Sequence, residues 1–227
     1  MSEPNLLETG IFIIPEAAEL VGASQHMVRI WFDGHKGKQE PVIENELGRV
    51  GGKLAISFAN LMELQFVAFF ARAGVPLREI RVIMHEAKRT LEHPHPFATT
   101  IVFLTDGRKI VAAIARNNGI EDIYDLKSKN YEMKDVVLRS LKRDVIYDPA
   151  GDARIWYPRR RLSPNVIVNP RRSFGRPILK ESSIPTSAIA NAFAVEKDAK
   201  VESLMFEIQE RQVREAVDFE ALLRKAA

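Results

Sequence analysis

Between Ile11 and Gly34 the chain is punctuated so closely that only short elements fit: Pro15, Gly22 and the pair Asp33-Gly34 divide it. The apolar run Ile11-Phe12-Ile13-Ile14 reads as a strand. Pro15 follows where a first helical residue loses nothing by lacking an N–H, and Glu16 suits the positive end of the helix dipole. One short helix is therefore expected from Glu16 to Val21, broken by Gly22. Ser24 is a suitable N-cap for a second, Gln25 to Phe32, which Asp33-Gly34 ends. Two short helices joined by a glycine-containing turn of about three residues make the helix-turn-helix pattern. On these residues alone, a plain helical hairpin fits equally well.

The next segment bears on that choice. Val42-Ile43 and Leu54-Ala55-Ile56 flank Gly48, Gly51 and Gly52, which predicts a hairpin with a loose tip. A hairpin directly after the second helix is a wing. Ser57 caps a long helix from Phe58 to Ala73, apolar nearly all round, so neighbours are expected on several sides. Gly74 stops it and Pro76 opens another, in which Leu77, Ile80, Met84, Ala87 and Leu91 form an apolar stripe. His93-Pro94-His95-Pro96 ends the helical stretch. Ile101 to Leu104 and Lys109 to Ile114 around Asp106-Gly107 predict a second hairpin. Met133 to Val145 reads as an amphipathic helix and Arg154 to Tyr157 as a strand. Pro158 to Pro164 reads as a domain boundary. Val166 to Val168 and Pro177 to Leu179 follow as short extended pieces, then three helices: one from near Pro185, one over about Val201 to Ile208, one over about Arg211 to Arg224. The expected fold class is mainly α with small β-hairpins. Residues 1–158 are expected to form a winged helix-turn-helix domain with a central hairpin and helix, and residues 159–227 a trihelical, helix-turn-helix-like domain.

Composition excludes several classes of function. The chain has no cysteine, which rules out disulfide frameworks, thiol catalysis and cysteine-rich zinc sites. Its opening, with Glu3, Pro4 and Glu8, lacks the basic-then-apolar pattern of a secretory signal. Phe58 to Ala73 is interrupted by Glu63 and Gln65 and is shorter than the roughly 20 residues of a membrane span. The expectation is a soluble, cytoplasmic protein with no membrane contact. No catalytic motif stands out, and Glu121, Asp122 and Asp125 read as solvated loop charge, so no enzyme is expected. His85, His93 and His95 raise a metal site, but no carboxylate at helical spacing completes a ligand set. Neither metal nor cofactor is expected.

The net charge is +3, unevenly spread. Residues 1–60 hold five Lys and Arg against eight Asp and Glu; residues 151–186 hold eight against two. Positive charge therefore lies away from the helix-turn-helix pattern. If that pattern reads DNA, Ser24, Gln25, His26 and Arg29 face the groove, where Gln pairs with adenine and Arg with guanine, while Val28, Trp31 and Phe32 are buried. Arg49 and Lys53, beside the glycines of the wing, would reach a phosphate or a minor groove. Solvated surface charge is the plain alternative for both. For the arginines Arg159, Arg160, Arg161, Arg171, Arg172 and Arg176 three readings compete: a DNA-backbone contact, a partner contact or a solvated linker. The suitability of arginine for bidentate pairing with phosphate or carboxylate favours a bound acidic partner.

The stretch Ile14 to Trp31 resembles the reading head of MerR-like winged helices, and Gly74-Val75-Pro76-Leu77-Arg78-Glu79-Ile80-Arg81 resembles the opening of that family's fourth helix. Ser173-Phe174-Gly175-Arg176-Pro177-Ile178, then Ile184-Pro185-Thr186, resembles the start of the small trihelical domain of unknown function 433. The combination is similar to VapB-type antitoxins of toxin–antitoxin systems. That resemblance implies a homodimer that represses its own operon by binding operator DNA and neutralises a PIN-like ribonuclease toxin. The six arginines would enter the toxin's carboxylate-lined metal cleft, or else Leu204, Phe206, Val213 and Phe219 would grip it by apolar packing. Against a MerR-type activator stand the missing long dimerisation helix and missing effector cysteines. The alternative is a stand-alone MerR-like regulator whose C-terminal domain only dimerises.

Overall fold

The computed structural model describes residues 9–34, 40–100 and 143–226. The hairpin expected around Asp106-Gly107, the carboxylates Glu121, Asp122 and Asp125, and the helix from Met133 up to residue 142 lie outside the described residues. Val145, expected to end that helix, instead opens a strand.

Helix and small antiparallel sheets make up the described fold. Helix α1 (Ile14–Val21) and helix α2 (Gln25–Asp33) are joined at Gly22, whose left-handed φ of 68° turns the chain. Strands β1 (Arg49–Val50) and β2 (Lys53–Leu54) form a two-stranded hairpin. It is smaller than expected. Val42 and Ile43 do not pair with residues 54–56; their N–H groups both donate to Trp31 O, at 2.8 and 3.0 Å, and so satisfy the end of α2. Ile56 instead bridges Phe12.

Helix α3 (Phe58–Arg72) lies at the centre, with Leu64 and Phe66 buried on opposite sides of it. Helix α4 (Leu77–Leu91) lays its Ile80, Ile83, Met84 and Ala87 face into the same core. A short 3-10 turn, Pro96–Ala98, then stacks Phe97 on Phe66 at 3.8 Å between ring centroids.

A four-stranded antiparallel sheet follows, in the order β3 (Val145–Tyr147), β4 (Ala153–Trp156), β5 (Val166–Val168), β6 (Pro177–Leu179). Helices α5 (Thr186–Glu196), α6 (Ala199–Met205) and α7 (Glu210–Ala226) complete the chain. The boundary expected between residues 158 and 159 falls inside the sheet, where Trp156 of β4 pairs with Val168 of β5. Val166, Val168, Leu179, Val213 and Phe219 belong to the same apolar cluster as Phe12, Leu20 and Leu64, and α7 packs on α1. Burying both faces of a short, wholly apolar strand such as β5 requires layers on each side, and the preceding half of the chain contributes to them.

Candidate nucleic-acid interface

Helix α2 is built to show one face. Ser24 has the extended backbone of an N-cap (φ −70°, ψ 146°), and its Oγ accepts from Met27 N at 3.3 Å. Val28, Trp31 and Phe32 are buried, each side chain stabilising the docked helix by roughly 1.5–3 kcal/mol. Gln25, His26 and Arg29 are left exposed. Ser24 is exposed as well, and its hydroxyl is engaged in the cap.

The hairpin stands beside this face. Gly51 and Gly52 both have positive φ, 56° and 79°, as a tight two-residue turn requires. Arg49 and Lys53 flank them and are exposed. Arg49 Nη2 donates to both carboxylate oxygens of Asp33, at 3.0 and 3.1 Å, so the hairpin leans on the last turn of α2. Arg29, Asp33, Arg49 and Lys53 line one cleft of about 260 Å³, closed behind by Ile13, Ile14 and Pro15. Asp33 is the member that sequence spacing did not reveal, because it pairs with a residue in another element. An exposed pair of this kind contributes at most about 1 kcal/mol.

A network running from the buried Glu63 to the exposed Glu46 fixes the root of the hairpin. His95 Nδ1 and Nε2 each lie 3.1 Å from a carboxylate oxygen, of Glu63 and of Glu46 respectively. Glu63 is fully buried, and Asn60 Nδ2 donates to it and to Glu44 O while Asn60 Oδ1 accepts from Glu46 N. Burial alone pushes the His95 pKa down; the two carboxylates together outweigh it and raise it to about 9. The hydrogen bond from His95 holds Glu46 below the usual carboxylate range. The other histidines are placed differently: His85 Nε2 faces Pro41 O and His93 Nδ1 accepts from His95 N.

The six arginines separate into two groups. Arg159 Nη1 donates to Leu20 O and Pro158 O, at 3.3 and 3.0 Å, against the C-terminus of α1. Arg160 lies over the Tyr157 ring, 4.5 Å from its centroid, and bonds Arg143 O. Arg161, Arg171, Arg172 and Arg176 are exposed, with Arg172 Nη1 donating to Ser183 Oγ at 3.0 Å. Of the apolar candidates at the C-terminus, Val213 and Phe219 are core residues with no exposure, and Phe206 is half-buried. Leu204 is exposed, as are Met205 and Val195 nearby in the chain.

No family model matches the chain. It is similar to a curated protein and to a solved structure, both from Mycobacterium tuberculosis. A Mycobacterium tuberculosis protein named "Putative antitoxin VapB45" is 21% identical over 224 residues, covering 92% of each chain. The crystal structure of Rv2018 from Mycobacterium tuberculosis superposes with a TM-score of 0.69 at 18% identity, covering 91% of this chain and 96% of that one. The second likeness shows a shared fold over nearly the whole length. No helix among the described residues is long and apolar enough to cross a membrane.

Proposed function

We propose that this chain is a cytoplasmic antitoxin that binds operator DNA as a homodimer and neutralises a PIN-like ribonuclease toxin. The observation that carries the reading is the end-to-end likeness to a protein named as an antitoxin. The exposed face of α2 beside a basic hairpin supports the DNA half of it. In this reading α1 and α2 form the helix-turn-helix and β1–β2 the wing. Gln25, His26 and Arg29 address base edges, Ser24 holds the helix start, and Arg49 and Lys53 take phosphates. Toxin contact falls to the exposed C-terminal surface, with Leu204 and Met205 of α6 as apolar anchors and Arg161 pairing with carboxylates of the toxin cleft.

The test has two arms. Arg29→Ala should relax sequence preference at an operator, costing about 1–3 kcal/mol per half-site, and leave toxin binding intact. Leu204→Glu with Met205→Glu should abolish co-purification with the co-expressed toxin and leave operator binding intact. Unchanged discrimination in Arg29→Ala removes the reader from α2. Full toxin capture by the doubly charged variant removes the grip from α6.

A further inference from the structure

DNA affinity is governed by how many phosphates a protein neutralises, and the first 60 residues are poorly equipped for that. They carry an excess of acid, and Arg49, one of their few cations at the cleft, is paired with Asp33. The excess of base lies in residues 151–186. The fold brings part of that segment against residues 10–12, which lead into α1 and its helix-turn-helix. Ile11 N donates to Phe174 O at 3.0 Å, and Pro170 lies against Gly10. Gly175 sits so close to the Phe12 ring that a Cβ there would stand 2.7 Å from it. Phe12 in turn bridges Ile56, just beyond the hairpin. Ile13, two residues on from Ile11, already lines the cleft with Arg29. Two residues span about 7 Å, less than the roughly 12 Å width of a major groove.

The loop itself is held in an unusual shape. Ser173, Phe174 and Gly175 all have positive φ, at 47°, 55° and 85°. For the two with side chains this costs roughly 1–2 kcal/mol each. The surrounding bonds over-determine it: Arg171 N donates to Asn169 Oδ1, Arg172 N to Asn169 O, Gly175 N to Arg172 O and Arg176 N to Ser173 O, all between 2.9 and 3.0 Å. The outcome of this strain is presentation. Phe174 is 58% exposed, with Arg171, Arg172 and Arg176 exposed around it. The sequence contains no acidic residue between Asp152 and Glu181. Strained backbone persists where its surroundings over-determine it, and such residues cluster at ligand clamps and active sites.

We propose that the loop Arg171–Arg176 is a second DNA-contacting element, which clamps backbone phosphates flanking the groove addressed by α2 and seats Phe174 against a deoxyribose. The proposal rests on the reading of this chain as a DNA-binding protein. It supplies the charge that the helix-turn-helix segment lacks, and it makes the C-terminal half part of the DNA site.

The test uses the full chain and a duplex of about 30 base pairs, with binding followed by fluorescence anisotropy across a salt series. Arg171→Ala with Arg176→Ala should reduce the slope of log K against log salt by about 2, since each lost phosphate contact removes roughly 0.9. The corresponding double Lys variant should restore the slope, which a folding defect would not allow. Phe174→Ala should weaken binding severalfold with the slope unchanged. The proposal is overturned if the double Ala variant keeps the wild-type slope while Lys53→Ala weakens binding. In that case DNA binding stands without the loop, and loss of toxin capture in the same variant would assign the loop to the acidic protein partner. A wild-type chain that binds no duplex at any salt overturns both readings together.

Discussion

Arg159 and Arg72 show how differently one residue type is used in this chain. Arg72 Nη1 donates to Val21 O at 2.7 Å and Arg159 Nη1 to Leu20 O at 3.3 Å, so two guanidiniums cover the carbonyls at the negative end of α1. Burial lowers both pKa values, and for Arg159 the charge of Arg72 adds to it. The sequence shows Arg159-Arg160-Arg161 as an undivided basic run. Nothing in it distinguishes the arginine that folds inward, because its distant acceptor is the backbone carbonyl of Leu20, 139 residues away, which carries no sequence signature. Asp33 was hidden for a similar reason. Its bonds to Arg49 form an exposed pair, and under the proposed DNA-binding function a phosphate would compete with Asp33 for that guanidinium. Asp33→Asn removes the competitor and one negative charge from the cleft. Non-specific DNA affinity at low salt is therefore expected to rise, by up to about fivefold for a pair worth at most about 1 kcal/mol. A titration of the variant against random duplex checks this, and weaker binding than wild type would mean that Asp33 positions Arg49 for DNA.

At the scale of elements, the helices among the described residues were readable where their signals are local. Ser24 and Ser57 cap α2 and α3 through their own side chains, and the apolar stripe of α4 points to the core. The hairpin was readable as an element and misjudged in extent. Its glycines mark the turn, whereas the partner of Ile56 is Phe12, a non-local choice that no spacing dictates. The Glu46–His95–Glu63 network joins the hairpin root, α3 and the turn after α4, and it predicts a pH dependence. His95 has a folded pKa of about 9 against 6.5 unfolded, so its stabilising contribution is complete below about 6.5 and is lost as pH rises through 9. Glu46 is shifted down, so its contribution is present above 4.5 and is lost as pH falls below that value. Thermal unfolding midpoints should fall between pH 6.5 and 9 in the wild type. In His95→Phe that decline should disappear, and stability should drop by about 3–5 kcal/mol because Glu63 is left buried with the Asn60 amide but without its charged partner. A wild-type midpoint flat across this range would mean that His95 is neutral in the folded protein.

The whole molecule is where sequence reading and structure differ most. Pro158 to Pro164, rich in arginine and proline, has the composition of a linker, yet it only carries the chain from β4 to β5 within one sheet. Composition reports what a segment can bury, and here the burial lies on either side of it: Trp156 before, Val166 to Val168 after, all nearly inaccessible. A core shared from Phe12 to Leu223 should unfold as one unit. Calorimetry of the full chain is therefore expected to show a single transition, and Phe219→Ala, which empties a site with no exposure, should lower it by the equivalent of about 3–5 kcal/mol. The hairpin root should respond with the rest, so hydrogen exchange at β2 should quicken in the same variant although Phe219 lies in α7. Cutting between residues 158 and 159 removes β4 from β5 and leaves the edge of an apolar strand unpaired. The fragment 159–227 should accordingly associate or remain partly unfolded, whereas a fragment beginning before β3 keeps the whole sheet. Two resolved transitions, with the fragment 159–227 monomeric and natively dispersed by NMR, would show that α5 to α7 with β5 and β6 fold independently, and that their packing on α1 is a docked contact between two domains.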